Sequence, residues 1–257
     1  MEEKISKLKI IKLAELISST WQDYKSNWQK FGTLLIIPLA LSFVINAFLY
    51  TAELYSTVIP WQAWIAIGIV TAVLAIFFMF LYYVAYISQF ILLKDLTQEV
   101  TFSNLKDWIK KSLPYFWTIV AVSIVYTLFS LVGFILLVIP GIVIMVYYCF
   151  AIYFVIFEDN KFEGSLGRSR DLVKGYWWAV FGRFVVGLLL IYAFYFIIGG
   201  LLALIYWLIS RFTGIIIDKN LSSLIYSFLS IFISLAVGPL SIIYTYNIFK
   251  SLKEIKQ

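Results

Sequence analysis

The stretch from Leu131 to Gly141, LVGFILLVIPG, lies near the middle of the longest uncharged run in the chain. That run covers residues 112–157, and its 46 residues would form a single helix about 69 Å long at about 1.5 Å per residue. Because a bilayer's hydrocarbon core is only about 30 Å thick, the run must reverse direction. Proline interrupts a helix and glycine permits a turn, so Gly133 and the Pro140-Gly141 pair predict a structural turn here.

Further uncharged runs flank this one on both sides. They are residues 31–52, 54–93, 184–210 and 220–249. About 20 apolar residues suffice for one crossing, so the sequence predicts an all-α membrane protein, a six-transmembrane helical bundle. The expected spans are about 31–52, 62–93, 114–135, 140–157, 177–209 and 221–249.

The composition excludes a soluble domain of ordinary type. Hydrophobic residues make up 63% of the chain and charged residues 13%, with a mean hydropathy of +0.94. Soluble domains have about 25% charged residues. We therefore expect residues 1–257 to form a single polytopic membrane domain.

The distribution of positive charge predicts the orientation. Of the 20 Lys and Arg residues, 18 lie in segments that six spans place on one side of the membrane. These segments are residues 4–30, 94–111, 161–183 and 250–256. The other two, Arg211 and Lys219, lie between the fifth and sixth spans. Positively charged connections stay in the cytoplasm, so both termini are predicted there, in a cell (plasma or inner) membrane.

Three of the basic segments resemble one another in plan. In residues 1–30, 102–113 and 162–174, apolar residues recur at helical spacing with basic residues between them. Such segments are typical of amphipathic helices that lie at the membrane surface. Each precedes an aromatic cluster and two spans, which predicts three repeats of interfacial helix plus transmembrane hairpin.

Catalytic chemistry has little support in the sequence. There is no histidine and a single cysteine, Cys149, and the spans are nearly free of ionisable residues. Metal sites usually need several Cys or His ligands, and histidine is the commonest general base. We expect no catalytic residues, no metal, no cofactor and no nucleic-acid partner.

The richest polar segment follows the fourth span. Its candidate residues for binding a lipid or a membrane partner are Glu158, Ser165, Arg168, Ser169, Arg170 and Lys174. Basic residues near the surface attract anionic headgroups of the cytoplasmic leaflet by about 1 kcal/mol each. The alternative is that these charges only set the orientation and cap a helix. The leading expectation is a non-catalytic membrane protein that binds lipid or a partner here, with a role in envelope maintenance.

The sixth span suggests a second function. Ser227, Ser230 and Ser234 recur at spacings of three and four residues, which places them on one stripe of a helix. Small hydroxyl residues on a stripe let helices pack closely. With Asn46, they could instead line a weakly polar path, and the alternative function is therefore a transporter or channel.

A family resemblance rests on residues 138–182. The matching elements are Pro140-Gly141, Glu158, Ser165-Leu166-Gly167-Arg168-Ser169, Leu172, Lys174-Gly175 and Trp177-Trp178. This pattern resembles a prokaryotic integral membrane family of poorly known function, related to the membrane domain of glycerophosphoryl diester phosphodiesterases. It departs at Gly167, where a larger residue is expected. The resemblance implies a membrane location and six spans, but not phosphodiesterase activity, which belongs to a separate soluble domain.

Overall fold

A computed structural model describes residues 10–54, 60–98, 105–159, 161–213 and 219–256, and within the long helices it describes the side chains only in part. Every regular element in these ranges is an α-helix. The helices are α1 Leu13–Leu54, α2 Trp61–Thr97, α3 Leu105–Leu136, α4 Val138–Tyr148, α5 Ala151–Glu158, α6 Phe162–Val173, α7 Trp177–Thr213 and α8 Lys219–Lys256.

Four stretches of the described chain are long and apolar enough to cross a membrane. They are Gln62–Thr97, Lys106–Leu136, Val138–Glu158 and Trp177–Ile205. These stretches overlap the predicted second to fifth spans, so the chain is an all-helical protein suited to a membrane. Helices α1 and α8 contain the predicted first and sixth spans, but many of their side chains lie outside the described residues.

The central uncharged run reverses at Leu137, three residues before Pro140. Leu137 has an extended backbone and separates α3 from α4. Pro140 lies in the first turn of α4, where a missing N–H costs no helical hydrogen bond. The run therefore folds back on itself with Leu137 as the residue that turns, and the predicted turn residues Pro140 and Gly141 lie inside α4.

Two glycines allow the arms of this hairpin to approach closely. A Cβ on Gly133 would lie 2.8 Å from the Cα atom of Gly141, and a Cβ on Gly141 would lie 2.6 Å from the ring of Phe134. At the other end of the hairpin, the hydroxyl of Tyr115 donates to the carboxylate of Asp159 at 2.5 Å. The arms are therefore antiparallel from the turn down to Asp159.

The predicted fourth span, 140–157, consists of two helices with a break at Cys149 and Phe150. The Cys149 thiol donates to the Val146 carbonyl at 3.0 Å. The backbone N–H of Phe150 donates instead to the hydroxyl of Ser169 at 3.1 Å. That hydroxyl donates in turn to the carbonyl of Tyr147 at 2.8 Å. A side chain of α6 thus satisfies the backbone groups that the break leaves open.

The three predicted interfacial segments differ in how they join the next helix. The described part of the first continues without interruption from Leu13 into the predicted span, and that of the second does so from Leu105. Only the third forms a separate helix, α6, which ends before Gly175 at φ +90°. A backbone in this region favours glycine, so Gly175 explains why α6 and α7 are two helices.

The first and last helices pack against each other in antiparallel fashion. The backbone N–H of Ile11 donates to the Ser251 hydroxyl at 2.8 Å. Further along, the Asn247 amide lies 3.3 Å from the hydroxyl oxygens of Ser19 and Thr20. Buried Leu252 belongs to the same apolar core as residues of α2 to α7. The ends of the chain therefore help to form the core on which α6 rests.

Candidate functional site

Helix α6 presents its basic residues outward because its opposite face is buried. Leu166, Leu172 and Val173 belong to the apolar core, whereas Arg168 and Arg170 are exposed. This separation follows from the helical repeat of 3.6 residues. Lys174, directly after the helix, is also exposed.

The two candidate serines are placed differently from the basic residues. Ser165 and Ser169 are completely buried. The hydroxyl of Ser165 donates to the carbonyl of Phe162 at 2.7 Å, and Ser169 bridges the break between α4 and α5. Ser169 therefore holds α6 against the hairpin, Ser165 bonds only within its own helical turn, and neither serine faces a ligand at the surface.

Glu158 lies at the junction of three helices. Its carboxylate accepts from the guanidinium of Arg168 on α6, and the Lys253 ammonium on α8 lies 2.7 Å from its second oxygen. The side chain of Glu158 is 17% exposed, while those of Arg168 and Lys253 are 56% and 39% exposed. Because the cations are partly solvated, water screens these ion pairs and their contribution to stability is small. Their position makes Glu158 and Arg168 part of the support of α6.

Lysines from neighbouring helices bind the C-terminal ends of the two short helices. Lys94 on α2 donates to the Ile156 carbonyl of α5 at 2.6 Å, and its ammonium lies 3.5 Å from the Asp159 carboxylate. Lys256 on α8 donates to the carbonyls of Asp171 and Lys174 at the end of α6. Cations are favourable at helix C-termini, where carbonyls lack partners.

The pKa of the Lys256 ammonium is lowered from its ordinary value. Partial burial is the main cause, the carboxylate of Asp171 opposes the change, and the charge of Lys174 adds to it. The sequence indicates only that Lys256 and Lys94 are charges that set the orientation. In the structure they also connect α6 and α5 to the long helices.

Arg170 and Lys174 remain the most available charges of the predicted basic site. Arg170 lies 3.3 Å from the carboxylate of its neighbour Asp171, and both side chains are more than half exposed. Exposed pairs of this kind contribute at most about 1 kcal/mol, so Arg170 can exchange Asp171 for another anion at little cost.

A large apolar groove opens on the side of the bundle, and no pattern in the sequence predicted it. Its volume is about 750 Å³. Helices α1, α3, α4, α7 and α8 contribute to its walls, and the lining residues include Trp21, Met145, Val146, Leu188 and Leu240. Trp21, Met145 and Leu188 are also exposed, so the groove is open at the outer surface of the bundle.

A smaller chamber adjoins the groove inside the bundle. It has a volume of about 230 Å³. Five residues border both spaces: Tyr126, Cys149, Phe184, Ser241 and Thr245. The remaining polar lining of the chamber consists of the hydroxyls of Tyr86, Ser123, Tyr148 and Tyr153. The chamber therefore combines hydroxyl groups with direct contact to an apolar groove.

The structure does not describe the side chains of the predicted path. The side chains of Asn46, Ser227, Ser230 and Ser234 are not among the described ones. Ser241, seven residues or about two helical turns after Ser234 on the same stripe of α8, borders both the groove and the chamber. Its position on the serine stripe was the sequence signal that could have located the chamber.

Within the described ranges, no group of three or more His, Cys, Asp or Glu residues is arranged to hold a metal ion. Comparison of the chain with family models, with curated proteins and with solved structures finds no match. The resemblance to the phosphodiesterase-related membrane family therefore stays a prediction from residues 138–182.

Proposed function

We propose that this chain is a six-span protein of the plasma or inner membrane with both termini in the cytoplasm. The support is that four stretches are long and apolar enough to cross, and that α1 and α8 are continuous helices over the other two predicted spans. On this proposal the spans form three hairpins, each preceded by a basic segment on the inner side. The three basic residues Arg168, Arg170 and Lys174 then face the cytoplasmic leaflet.

The proposed activity is non-catalytic binding of anionic lipid at this inner face, in the service of envelope maintenance. One observation carries the proposal: α6 is held to the core by buried Ser169, while Arg170 and Lys174 stay exposed. Because α6 is already fixed to the core, its backbone does not have to become ordered when a headgroup binds to its charged residues. Binding a headgroup then costs less side-chain and backbone entropy than binding by a loose segment would.

Charge reversal of the two exposed residues tests this proposal. The double variant Arg170→Glu, Lys174→Glu should retain at least about tenfold less phosphatidylglycerol, relative to phosphatidylethanolamine, in native mass spectrometry of the purified protein. The basis is a loss of about 1 kcal/mol of headgroup attraction per residue.

A matched control has the same change in net charge elsewhere. Lys106→Glu, Lys110→Glu alters two exposed lysines of α3 and should leave the phosphatidylglycerol ratio within about twofold of the wild type, because on this proposal the headgroup binds at α6. Equal losses in both double variants would show general attraction to the inner face and contradict a site at α6.

A transport path is the second candidate, and Ser241 favours it because this residue borders both cavities. A cysteine at position 241, in a Cys149→Ala background, would report on such a path. Reaction with a membrane-impermeant thiol reagent from both sides of the membrane would support transport. Reaction from neither side would remove this candidate.

A further inference from the structure

We propose that the groove and the chamber together bind one uncharged lipid of the glyceride class. Its hydrocarbon chains lie in the groove, and its head, which carries hydroxyl and ester groups, lies in the chamber. This site is separate from the basic face around α6, so it does not depend on the function proposed above.

The chamber's lining selects a head that is polar but uncharged. Its polar side chains are hydroxyls and the thiol of Cys149, and no Lys, Arg, Asp or Glu is among the residues that line it. A phosphate group would find no cation there to balance its charge. Burying an unpaired charge costs far more than burying a hydrogen-bonded neutral group.

Several of these hydroxyls are available as hydrogen-bond donors. The Tyr153 hydroxyl donates to the Ile242 carbonyl at 2.8 Å, and that of Ser241 donates to the Gly238 carbonyl at 2.7 Å. By contrast, the hydroxyls of Ser123, Tyr126 and Tyr148 donate to no protein group in the described part of the chain. Ester and hydroxyl oxygens of a glyceride are acceptors for such donors.

The depth of the chamber favours the same ligand class. Cys149, which borders it, is twelve residues from the turn at Leu137 and nine from Glu158. At about 1.5 Å per residue these separations are about 18 Å and 14 Å along the helices. The chamber therefore lies deep in the hydrocarbon region, where a charged headgroup is costly and an uncharged one is tolerated.

The groove supplies the space that the chains need. Its volume of about 750 Å³ lies within the range of about 300–1,000 Å³ that is typical of ligand sites. Because Met145 and Leu188 expose it at the side of the bundle, a lipid can enter from the bilayer without crossing water. Tyr126 and Thr245 border both spaces, so one molecule can occupy both.

Photocrosslinking with two matched probes tests the proposal. The probes are a diacylglycerol and a phosphatidylglycerol that carry the same diazirine in the same acyl chain. The diacylglycerol should label groove peptides of α4 and α7 in the intact protein, and a tenfold excess of unlabelled diacylglycerol should reduce that labelling at least threefold. Equal labelling by the two probes, or labelling that excess diacylglycerol leaves unchanged, would show ordinary surrounding lipid and overturn the proposal.

Two variants separate the groove from the chamber. Leu188→Trp should narrow the groove and reduce diacylglycerol labelling at least threefold, whereas Leu204→Trp, on the same helix and equally exposed (52% against 53%) but outside the groove lining, should not. The double variant Ser123→Ala, Tyr126→Phe removes two hydroxyls and should reduce diacylglycerol labelling about threefold without affecting phosphatidylglycerol. Full retention of labelling in both Leu188→Trp and the double variant would contradict the site. An unchanged melting temperature confirms that a variant is folded. If a variant does not fold, the competition with excess unlabelled diacylglycerol on the wild-type protein decides whether the site exists.

Discussion

At the scale of single residues, Ser169 shows how a polar side chain can serve the backbone. Its hydroxyl accepts from the Phe150 N–H and donates to the Tyr147 carbonyl. In a continuous helix these groups would bond four residues along the chain. The sequence suggested Ser169 as a surface binding residue because it lies among arginines. Its burial depends on how α6 packs against the hairpin, which residue spacing alone does not reveal.

Replacing Ser169 with alanine should destabilise the protein measurably. Ser169→Ala leaves the buried Phe150 N–H without a partner, and such a group costs about 1–3 kcal/mol. The unfolding free energy in detergent, measured by chemical denaturation, should fall by that amount. Ser165→Ala is the control, since Ser165 is equally buried but bonds only within its own helical turn. An equal loss of unfolding free energy in the two variants would show that the hydrogen bonds of Ser169 across the break between α4 and α5 do not stabilise the protein.

Lys94 leads to a second prediction at this scale. Its side chain is 17% exposed, and its ammonium donates to the Ile156 carbonyl at the end of α5. Lys94→Met keeps the length of the side chain and removes the donor. We expect a loss of about 1.5–3 kcal/mol in unfolding free energy, against less than about 0.5 kcal/mol for Lys110→Met at an exposed position. A loss for Lys94→Met no larger than that of Lys110→Met would contradict the capping role.

At the scale of elements, the lengths of the uncharged runs and the positions of glycine predicted more of the helix arrangement than the spacing of charges did. The 46-residue run required a reversal, and the arms are joined at Leu137 within the predicted stretch. The sequence did not predict the break at Cys149 or the continuity of α1 and α3 through their basic segments. Both depend on contacts with other helices: the break is stabilised by α6, and α1 packs along α8.

Replacing a glycine with alanine should lower the stability of the protein at Gly133 in the hairpin but not at Gly167 in α6. Gly133→Ala would bring a Cβ to 2.8 Å from the backbone of Gly141, and such overpacking costs about 1–3 kcal/mol. The control is Gly167→Ala, where a Cβ would meet nothing within 4 Å. Alanine is better than glycine inside a helix, so Gly167→Ala should be neutral or stabilising by up to about 1 kcal/mol. Equal melting temperatures for Gly133→Ala and Gly167→Ala in thermal unfolding would contradict the close approach of the two hairpin arms.

At the scale of the whole molecule, the inner and lateral surfaces carry the two proposed binding sites. The basic residues were visible in the sequence because charges are rare in this chain. The groove and chamber were not, because four or more helices from distant parts of the chain form their walls. The proposal of a basic lipid site assumes that α6 lies on the cytoplasmic side, so it depends on the orientation of the spans, whereas the groove and chamber proposal does not.

A topology map with single cysteines in a Cys149→Ala background tests this orientation most directly. The measurement is labelling by a membrane-impermeant maleimide in intact cells or spheroplasts and in inside-out vesicles. Six spans with cytoplasmic termini predict that Ser56→Cys and Asp218→Cys react in intact cells. Ser103→Cys, Lys161→Cys and Gln257→Cys should react only in inside-out vesicles. Reaction of Lys161→Cys or Gln257→Cys in intact cells would contradict six spans with both termini in the cytoplasm.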